Sequence, residues 1–351
     1  MSVGYVHAGR AAVLVCRIAA LVVLCTLASS PVAAAPHGGV RITDSLYGTR
    51  FLDAQNGWTV GGFGTIFHTT DGGATWHLQM SHTVEQLFSV DFVDLQHGWV
   101  VGRTGIILHT ADGGETWERQ STGSDKHLFK VAALDPQHAW AIGDWGVLLT
   151  THDGGTTWEN RSLSRDVILN SMAWSDPRHG WIVGEAGTIL ATGDGGSTWT
   201  DQKSGVEKTL FGVSFTDARH GWAVGLDGLI LRTADGGQTW QVQHGDTEVS
   251  ALDQVGVKEA RDNPSLYDVA VAGRYGYAVG DNGSVFASED GGQTWQRKDV
   301  PVETNLRWIR AVSLVSGTHG LLVGANGLTM GIAADQLHVI EHRDHAAQAT
   351  D

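Results

Sequence analysis

The residues whose type and spacing could support chemistry are six aspartates, each followed by two glycines. Their segments read TTDGGATW, TADGGETW, THDGGTTW, TGDGGSTW, TADGGQTW and SEDGGQTW, and the aspartates are Asp71, Asp112, Asp153, Asp194, Asp235 and Asp290. A carboxylate can bind a metal ion, a glycine-rich loop can hold phosphate, and the two together can form a tight turn. A single copy would not distinguish these roles, so the number and spacing of the copies must decide.

The spacing of these segments favours a structural turn. The first five aspartates are 41 residues apart at each step, and the last step is 55 residues. An aspartate accepts hydrogen bonds from the backbone of its own turn, glycine tolerates positive φ, and the tryptophan that ends each segment can bury a large apolar surface. These tryptophans are Trp76, Trp117, Trp158, Trp199, Trp240 and Trp295. A metal or phosphate function would need six equivalent one-carboxylate sites, so we predict a repeated fastening with no metal ion and no cofactor.

Histidines repeat in phase with the aspartates, so they too could form either a metal site or a structural part of the repeat. They occupy one equivalent loop position in five modules, at His97, His138, His179, His220 and His319. We interpret them as part of the repeat and not as a shared metal site. Three further histidines near the C-terminus could chelate a metal, although a solvated tail is the preferred interpretation: His338, His342 and His345.

A second motif runs through the chain in the same period. It reads GWTVG, GWVVG, AWAIG, GWIVG and GWAVG, and the degenerate copies GYAVG and GLLVG bring the total to seven modules. The module at 87–120 contains four short runs rich in β-branched and aromatic residues, each bounded by turn residues. Four strands in about 41 residues are typical of a propeller blade. The sequence therefore predicts an all-β fold, a seven-bladed β-propeller with four-stranded antiparallel blades, as a single domain over residues 38–342.

The outermost strand of blade 7 has two candidates in the sequence. Residues 337–341 align with the fourth strand of a blade, whereas residues 39–43 precede the first module and could supply the strand instead. We favour the C-terminal segment. Residues 343–351 are predicted to be a flexible tail.

Residues 1–34 have the layout of a secretory signal peptide. Arg10 and Arg17 precede an apolar run at 18–28, which is too short to span a membrane, and small residues follow it. We expect export to the periplasm or another extracytoplasmic space, with a mature protein that does not span the membrane; a membrane anchor is the alternative. Both cysteines, Cys16 and Cys25, lie in this segment, so the mature chain would contain no disulfide.

The charge of the chain limits its partners. The formal net charge is −15, and removing residues 1–34 takes away two arginines and no acids, which makes it −17. So acidic a chain is a poor candidate for binding nucleic acid or an anionic lipid surface. We therefore expect no nucleic-acid partner, and we expect a monomer.

The S/T-x-D-x-G-x-T-W pattern is the Asp-box, or bacterial neuraminidase repeat. With six copies, the in-phase GW-x-V-G motif and seven modules, residues 46–342 resemble the photosystem II stability and assembly factor family. The resemblance implies an exported, non-enzymatic propeller that binds membrane-protein subunits while a complex assembles. It also implies that photosynthetic members use a basic surface patch for their client. This acidic chain has dispersed arginines, so the resemblance supports the scaffold role more than a photosystem client.

Two other functions remain as alternatives: an Asp-box glycoside hydrolase similar to sialidases, and a carbohydrate-binding lectin. Sialidase chemistry would need a clamp of three arginines and a tyrosine free at the centre of the ring. Only Arg50 and Arg310 come from predicted inner strands, and Tyr47 and Tyr267 align with Phe88, which we interpret as core. We therefore expect no enzymatic activity, although carboxylates from different blades could still converge in the channel.

Residues that interrupt the repeat are the best candidates for partner binding, because variable loops on a rigid scaffold usually carry function. The loops between second and third strands share one face with the blade-to-blade connections, including an insertion of 14 residues within 244–268. Arg310 stands where other inner strands have an aromatic residue and can reach into the central channel. Arg50 and Asp91 are predicted to pair across blades 1 and 2. The candidate binding residues are Arg103, Asp144, Trp145, Arg307, Trp308 and Arg310.

Overall fold

The protein is described from a computed structural model that covers residues 42–245, 263–301, 304, 306–333 and 336–340. These residues form 28 strands arranged in seven four-stranded antiparallel sheets. The first strand of each sheet contacts the first strand of the next, and β1 contacts β25, so the sheets close into a ring. The predicted seven-bladed β-propeller is confirmed. The predicted signal peptide and C-terminal tail lie outside the described residues, as does most of the 244–268 insertion.

The inner strands are β1 (Leu46–Phe51), β5 (Leu87–Phe92), β9 (Leu128–Ala133), β13 (Leu169–Trp174), β17 (Leu210–Phe215), β21 (Leu266–Ala272) and β25 (Ile309–Ser316). The second strands are β2 (Gly57–Gly61), β6 (Gly98–Gly102), β10 (Ala139–Gly143), β14 (Gly180–Gly184), β18 (Gly221–Gly225), β22 (Tyr275–Gly280) and β26 (His319–Gly324).

The third strands are β3 (Ile66–Thr69), β7 (Ile107–Thr110), β11 (Leu148–Thr151), β15 (Ile189–Thr192), β19 (Ile230–Thr233), β23 (Val285–Ser288) and β27 (Thr329–Ala333). The outer strands are β4 (His77–Gln79), β8 (Glu118–Gln120), β12 (Glu159–Asn160), β16 (Thr200–Gln202), β20 (Gln241–His244), β24 (Gln296–Arg297) and β28 (Gln336–Val339). Because β28 pairs with β27, the C-terminal segment completes blade 7.

The two ends of the ring differ in what they carry. Three-residue turns such as Gly62–Gly64 join second to third strands, and they lie at the same end as the blade-to-blade connections because neighbouring strands are antiparallel. We call this end the loop face. The Asp-boxes and the turns between inner and second strands lie at the opposite end, which we call the Asp-box face. No helix among the described segments is long and apolar enough to cross a membrane.

The hydrophobic core consists of layers between adjacent blades. The second strand GWTVG is buried along its whole length, because a neighbouring blade covers each face of the sheet. Trp58 and Val60 of blade 1 pack with Leu87 and Phe92 of blade 2, and the Trp58 ring stacks on Phe92 with centroids 3.7 Å apart. Five layers thus use the second-strand tryptophan of one blade and the inner strand of the next, and Tyr277 and Leu321 take its place in blades 6 and 7.

Each Asp-box is a closed hydrogen-bonded turn. In the first box, the Asp71 carboxylate accepts hydrogen bonds from the Thr69 hydroxyl (2.8 Å), the Thr75 N–H (2.8 Å) and the Thr75 hydroxyl (2.6 Å). Gly72 and Gly73 adopt φ of 74° and 92°, which residues with a side chain rarely adopt. The hydrogen bonds lower the pKa of the box aspartates, to about 2 at Asp194, where the Thr198 N–H is the largest cause. Both carboxylate oxygens are therefore committed within the turn.

A glutamine that ends the outer strand ties one blade to the next. The Gln120 side chain donates to the Gly154 carbonyl at 2.8 Å and accepts from the Trp158 indole N–H at 3.0 Å. Gln79 and Gln202 make the equivalent pair of hydrogen bonds, whereas Gln243 accepts from the Trp295 indole and donates to the Gln293 carbonyl. We call this pair the glutamine latch. Between blades 3 and 4, Arg161 occupies the glutamine position, and the buried Trp199 indole nitrogen has no hydrogen-bond partner.

The latch predicts opposite stability effects at two junctions. Gln120→Ala should lower the free energy of unfolding by about 1 kcal/mol, since it leaves the partly buried Gly154 carbonyl and Trp158 indole N–H unpaired. Arg161→Gln should raise it by about 1 kcal/mol, since it supplies an acceptor for Trp199. Urea unfolding measures both, with Arg178→Gln at an exposed position as the matched control. A neutral Gln120→Ala variant would contradict a stabilising role for the latch.

A partly buried histidine makes stability depend on pH. His68 stacks on Trp58 with ring centroids 4.4 Å apart, its Nε2 is buried without a partner, and burial lowers its pKa from 6.5 to about 4. Between these two values the unfolded chain binds a proton that the folded protein does not. This contribution to stability is therefore complete above pH 6.5 and is lost as pH falls toward 4. The Asp-box carboxylates titrate below this range.

We expect the wild type to lose stability between pH 7.5 and pH 5, with His68 contributing about 1 kcal/mol after allowance for its partial exposure. His68→Phe keeps the stacked ring but cannot be protonated, so it should retain that part of the stability at pH 5. Urea unfolding at the two pH values measures the difference. His82→Asn, at an exposed site, should lose as much as the wild type; an equal loss in His68→Phe would contradict the assignment.

Candidate partner-binding site at the channel mouth

The second residue of every inner strand points into the central channel. The pairing register between inner and second strands shifts at this residue in all seven blades, which is the mark of a β-bulge. A bulge re-aims a side chain that regular alternation would place elsewhere. The seven side chains line a cavity of about 290 Å³ at the loop-face end of the channel, which we call the channel mouth. They are Tyr47, Phe88, Phe129, Asn170, Phe211, Tyr267 and Arg310.

Five of these residues form an aromatic wall. Tyr47 contacts Phe88 and Phe88 contacts Phe129, with ring centroids 5.8 and 5.6 Å apart, and Phe211 contacts Tyr267 at 5.5 Å. These side chains are half-buried. The interpretation of Phe88, Tyr47 and Tyr267 as core residues is therefore wrong: the bulge turns them toward the channel. They offer an apolar surface for one or two side chains of a ligand.

Arg310 stands at the aromatic position in blade 7. Its guanidinium carbon lies 4.4 Å from the centroid of the Tyr267 ring, a cation–π contact, and burial lowers the pKa of Arg310. In the described part of the chain its guanidinium makes no hydrogen bond or ion pair. The Tyr267 hydroxyl instead donates to Asp281 at 2.9 Å, and burial together with this hydrogen bond raises the pKa of Tyr267 to about 12. Arg310 lines the cavity, and Asp268 and Asp281 are near enough to counteract part of the effect of burial on its pKa.

Two more charged residues line the channel mouth, Lys130 and Asp268. Burial raises the pKa of the Asp268 carboxyl, and its oxygens accept the backbone N–H groups of Val269 and Val312 at 3.0 Å. The second of these bonds joins blade 6 to blade 7. Because Asp268 is committed to that junction, Lys130 and Arg310 are the groups that can meet a ligand. The cavity therefore suits an anionic group next to an apolar one.

Trp308 directly precedes β25 and extends the aromatic wall. Its ring is stacked on Tyr47 with centroids 5.6 Å apart and an angle of 13°. Arg307 lies in the same blade-to-blade connection, and its carbonyl accepts the Gly283 N–H at 2.6 Å. Of the six candidate residues, the structure thus brings Trp308 and Arg310 together at the cavity.

The other candidates lie on the hairpin tips of the loop face. Trp145 is 58% exposed at the tip of blade 3, next to Asp144, whose pKa is raised by burial. The ammonium of Lys126 lies 5.4 Å from the centroid of the Trp145 ring. Arg103 is exposed at the tip of blade 2. These residues do not line the channel-mouth cavity, so the sequence candidates divide into a channel group and a tip group.

The far end of the channel holds the predicted ion pair. Arg50 Nε lies 3.1 Å from an Asp91 carboxylate oxygen, and the other oxygen accepts the Ala133 N–H at 2.9 Å. One carboxylate thus links blades 1, 2 and 3. Both charged residues line a second cavity of about 450 Å³.

The repeated histidines lie in turns of the Asp-box face. Four of them place Nδ1 at 2.9 to 3.0 Å from the aspartate three residues earlier in their own turn. They are His97, His138, His179 and His220. Each is held by its own module, as expected for repeat architecture. Across the described ranges, no group of three or more histidine, cysteine, aspartate or glutamate residues could hold a metal ion.

Comparison with known proteins identifies the repeat. A family model described as photosynthesis system II assembly factor YCF48 matches residues 37–124, 120–201 and 202–259, which is more than half of the chain. No curated protein sequence matches significantly.

Solved structures give the same result. A structure of YCF48 bound to D1 peptide is similar with a TM-score of 0.66 and 25% identity, covering 84% of this chain and 96% of that one. YCF48 from Cyanidioschyzon merolae has a TM-score of 0.64 and 22% identity, covering 84% and 97%. A GH74 xyloglucanase from Xanthomonas campestris has a TM-score of 0.63 and 13% identity, covering 85% and 53%, and shares the fold alone. The chain belongs to the photosystem II assembly factor YCF48 family of seven-bladed propellers.

Proposed function

We propose that this protein is an exported, non-enzymatic assembly factor that binds a peptide segment of a membrane-protein subunit at the channel mouth. The observation that carries the proposal is Arg310: a guanidinium without a hydrogen bond or ion pair in the described structure, set among five aromatic side chains at the channel mouth. A partly buried cation of this kind is a natural partner for a carboxylate.

The shape of the channel mouth suits a chain end or a single extended segment. Its volume of about 290 Å³ is large enough for one or two side chains and too small for a folded domain. The aromatic wall would contact an apolar side chain, while Arg310 and Lys130 would contact a carboxylate. Trp308, stacked on Tyr47, would cover the segment where it enters.

Family membership supports the same kind of partner. The similar YCF48 structure contains a bound D1 peptide. By analogy, the ligand here is a segment of a membrane-complex subunit, whichever complex the host builds. Export and an extracytoplasmic location rest on the pattern of residues 1–34, and the monomeric state and the absence of a nucleic-acid partner rest on the architecture and charge of the chain.

Binding is favoured over glycoside hydrolysis by the state of Tyr267. A nucleophilic tyrosine needs a lowered pKa, whereas burial and the hydrogen bond to Asp281 raise the pKa of Tyr267 to about 12. Arg50 is paired with Asp91 at the far end of the channel, so among the described residues Arg310 is the only arginine lining the channel mouth. A clamp of three arginines does not form there.

Site-specific cross-linking in the host tests the proposal. A photo-reactive benzoylphenylalanine at position 129 should give an adduct with a membrane subunit, and one at position 95, on the Asp-box face, should not. Arg310→Gln should reduce the adduct about tenfold or more, because it removes a charge-assisted contact. Arg219→Gln, an exposed arginine on the Asp-box face, is the matched control.

Two outcomes would overturn this function. One is the absence of any membrane-subunit adduct from position 129, or equal adducts from positions 129 and 95. The other is hydrolysis of a fluorogenic sialoside that disappears in Tyr267→Phe, which would establish the glycosidase instead.

Export is tested by the N-terminus of the purified protein. We expect mass spectrometry of the extracytoplasmic fraction to find a chain that begins at Ala35, because the small residues before it form the cleavage site. A chain that retains Met1, or one that carries lipid on Cys25, would contradict removal of a 34-residue signal.

A further inference from the structure

The most exposed large apolar side chains of the described structure share one end of the ring. Five of them are between 58% and 80% exposed, and all lie in hairpin tips or blade-to-blade connections of the loop face. They are Phe63, Met80, Val84, Trp145 and Leu306. The remaining exposed apolar residues, Leu78, Leu95 and Val242, are between 44% and 51% exposed and lie on outer strands or the Asp-box face. Apolar exposure is therefore concentrated on the face onto which the channel mouth opens.

The fold does not require these residues. Phe63, Trp145 and Leu306 have φ of 53°, 57° and 68°, in the left-handed region that side chains other than asparagine and aspartate rarely adopt. Blades 6 and 7 place Asn282 and Asn326 at the hairpin position of Phe63 and Trp145, with nearly the same φ. The turn thus accepts asparagine, which is both polar and better suited to this conformation. Turn geometry therefore explains neither aromatic tip.

A basic side chain accompanies each of three exposed apolar sites. Lys126 lies over the Trp145 ring at 5.4 Å, and Arg307 follows Leu306 in the chain. Arg103 lines a shallow depression of about 240 Å³ together with Phe63 and Val84. This pairing occurs on a chain whose net charge is −15. The loop face therefore offers apolar groups with cations beside them, together with acids: an Asp125 oxygen lies 3.4 Å from the Lys126 ammonium, and Glu85 lines the same depression as Arg103.

The exposed side chains do not form one continuous patch. They belong to blades 1 and 3 and to the connections between blades 1 and 2 and between blades 6 and 7, and of these Phe63 and Val84 line one depression together. A protein partner buries a contiguous apolar centre. Apolar projections from several blades at one end of a rigid ring, with a cation near three of the sites, match the interfacial region of a bilayer, where aromatic rings and apolar side chains insert individually and cations meet phosphates.

We propose that the loop face binds a lipid bilayer. Phe63, Val84, Trp145 and Leu306 enter the interfacial region, and the basic side chains beside them contact lipid phosphates. The bilayer surface is uncharged overall, since the negative charge of the protein opposes binding to anionic lipid. This orientation directs the channel mouth toward the membrane. Lipid binding at the tips does not require peptide binding at the channel mouth.

Vesicle flotation with pure phosphatidylcholine tests the proposal. Phe63→Asn combined with Trp145→Asn should lower the partition coefficient about tenfold or more, because two apolar insertions are lost. Asparagine suits the tip conformation, so this variant should unfold at the same or a higher urea concentration than the wild type. Leu95→Asn combined with Val242→Asn is the matched control and should float as the wild type does. All variants share one N-terminus, so any contribution from that segment is equal.

Fluorescence then tests the orientation on the vesicle. In a chain with Cys16→Ser and Cys25→Ser, an environment-sensitive dye is attached to Thr104→Cys on the loop face or to Leu95→Cys on the Asp-box face. Vesicles should shift the emission to the blue, and spin-labelled lipid should quench it, only for the dye at position 104.

Three results would overturn lipid binding by the loop face. The tip variant could float as the wild type does, both dyes could respond equally, or binding could require phosphatidylglycerol and be independent of the tips. The last result would indicate an electrostatic contact elsewhere. The flotation mixture contains no peptide, so its outcome and that of cross-linking from position 129 are independent.

Discussion

Burial of aromatic surface between adjacent blades is the interaction on which this structure depends. A four-stranded sheet with apolar residues on both faces is stable only when each face is covered, so every blade needs two neighbours. Trp58 on Phe92 and Trp181 on Phe215 close two of these junctions as stacked pairs, with centroids 3.7 and 3.5 Å apart. The glutamine latch adds hydrogen bonds to the edge of the same layers. Closure into a ring follows, because an open array would leave its two end blades uncovered.

The need to cover both faces of every blade separates the residues that build the ring from those that can bind a partner. The Asp-box carboxylates are occupied within their turns, and the histidines of the Asp-box face are held by aspartates of their own modules. The side chains of the loop-face turns are not needed to hold a module together, since these turns need only a residue with positive φ and a short connection. Arg310 can replace an aromatic residue because the second position of an inner strand faces the channel and not an inter-blade layer. Binding capacity therefore concentrates at one end of the ring.

The fold was predictable from the sequence to an unusual degree, and the site only in part. The six Asp-boxes and the in-phase GW-x-V-G motif predicted seven modules because each motif is encoded in a few contiguous residues and repeated. Trp308 and Arg310 were identified because they interrupt that repeat. Phe88 and its equivalents were assigned to the core because alternation along a strand carries no sign of the bulge that re-aims them. The latch was missed because Gln120 and Gly154 are 34 residues apart and neither is unusual by itself.

The sequence by itself determined the blade count, the Asp-box turns and the acidic charge, since each depends on residue types within one module or on composition. Tertiary structure alone decided which side chains meet. Lys130, Asp268 and Arg310 come from blades 3, 6 and 7 and share one cavity only because the ring closes and the bulges direct them inward. Tertiary structure also places the exposed Phe63, Trp145 and Leu306 at one end of the ring. Antiparallel pairing puts every second-to-third-strand turn and every blade connection on the same face.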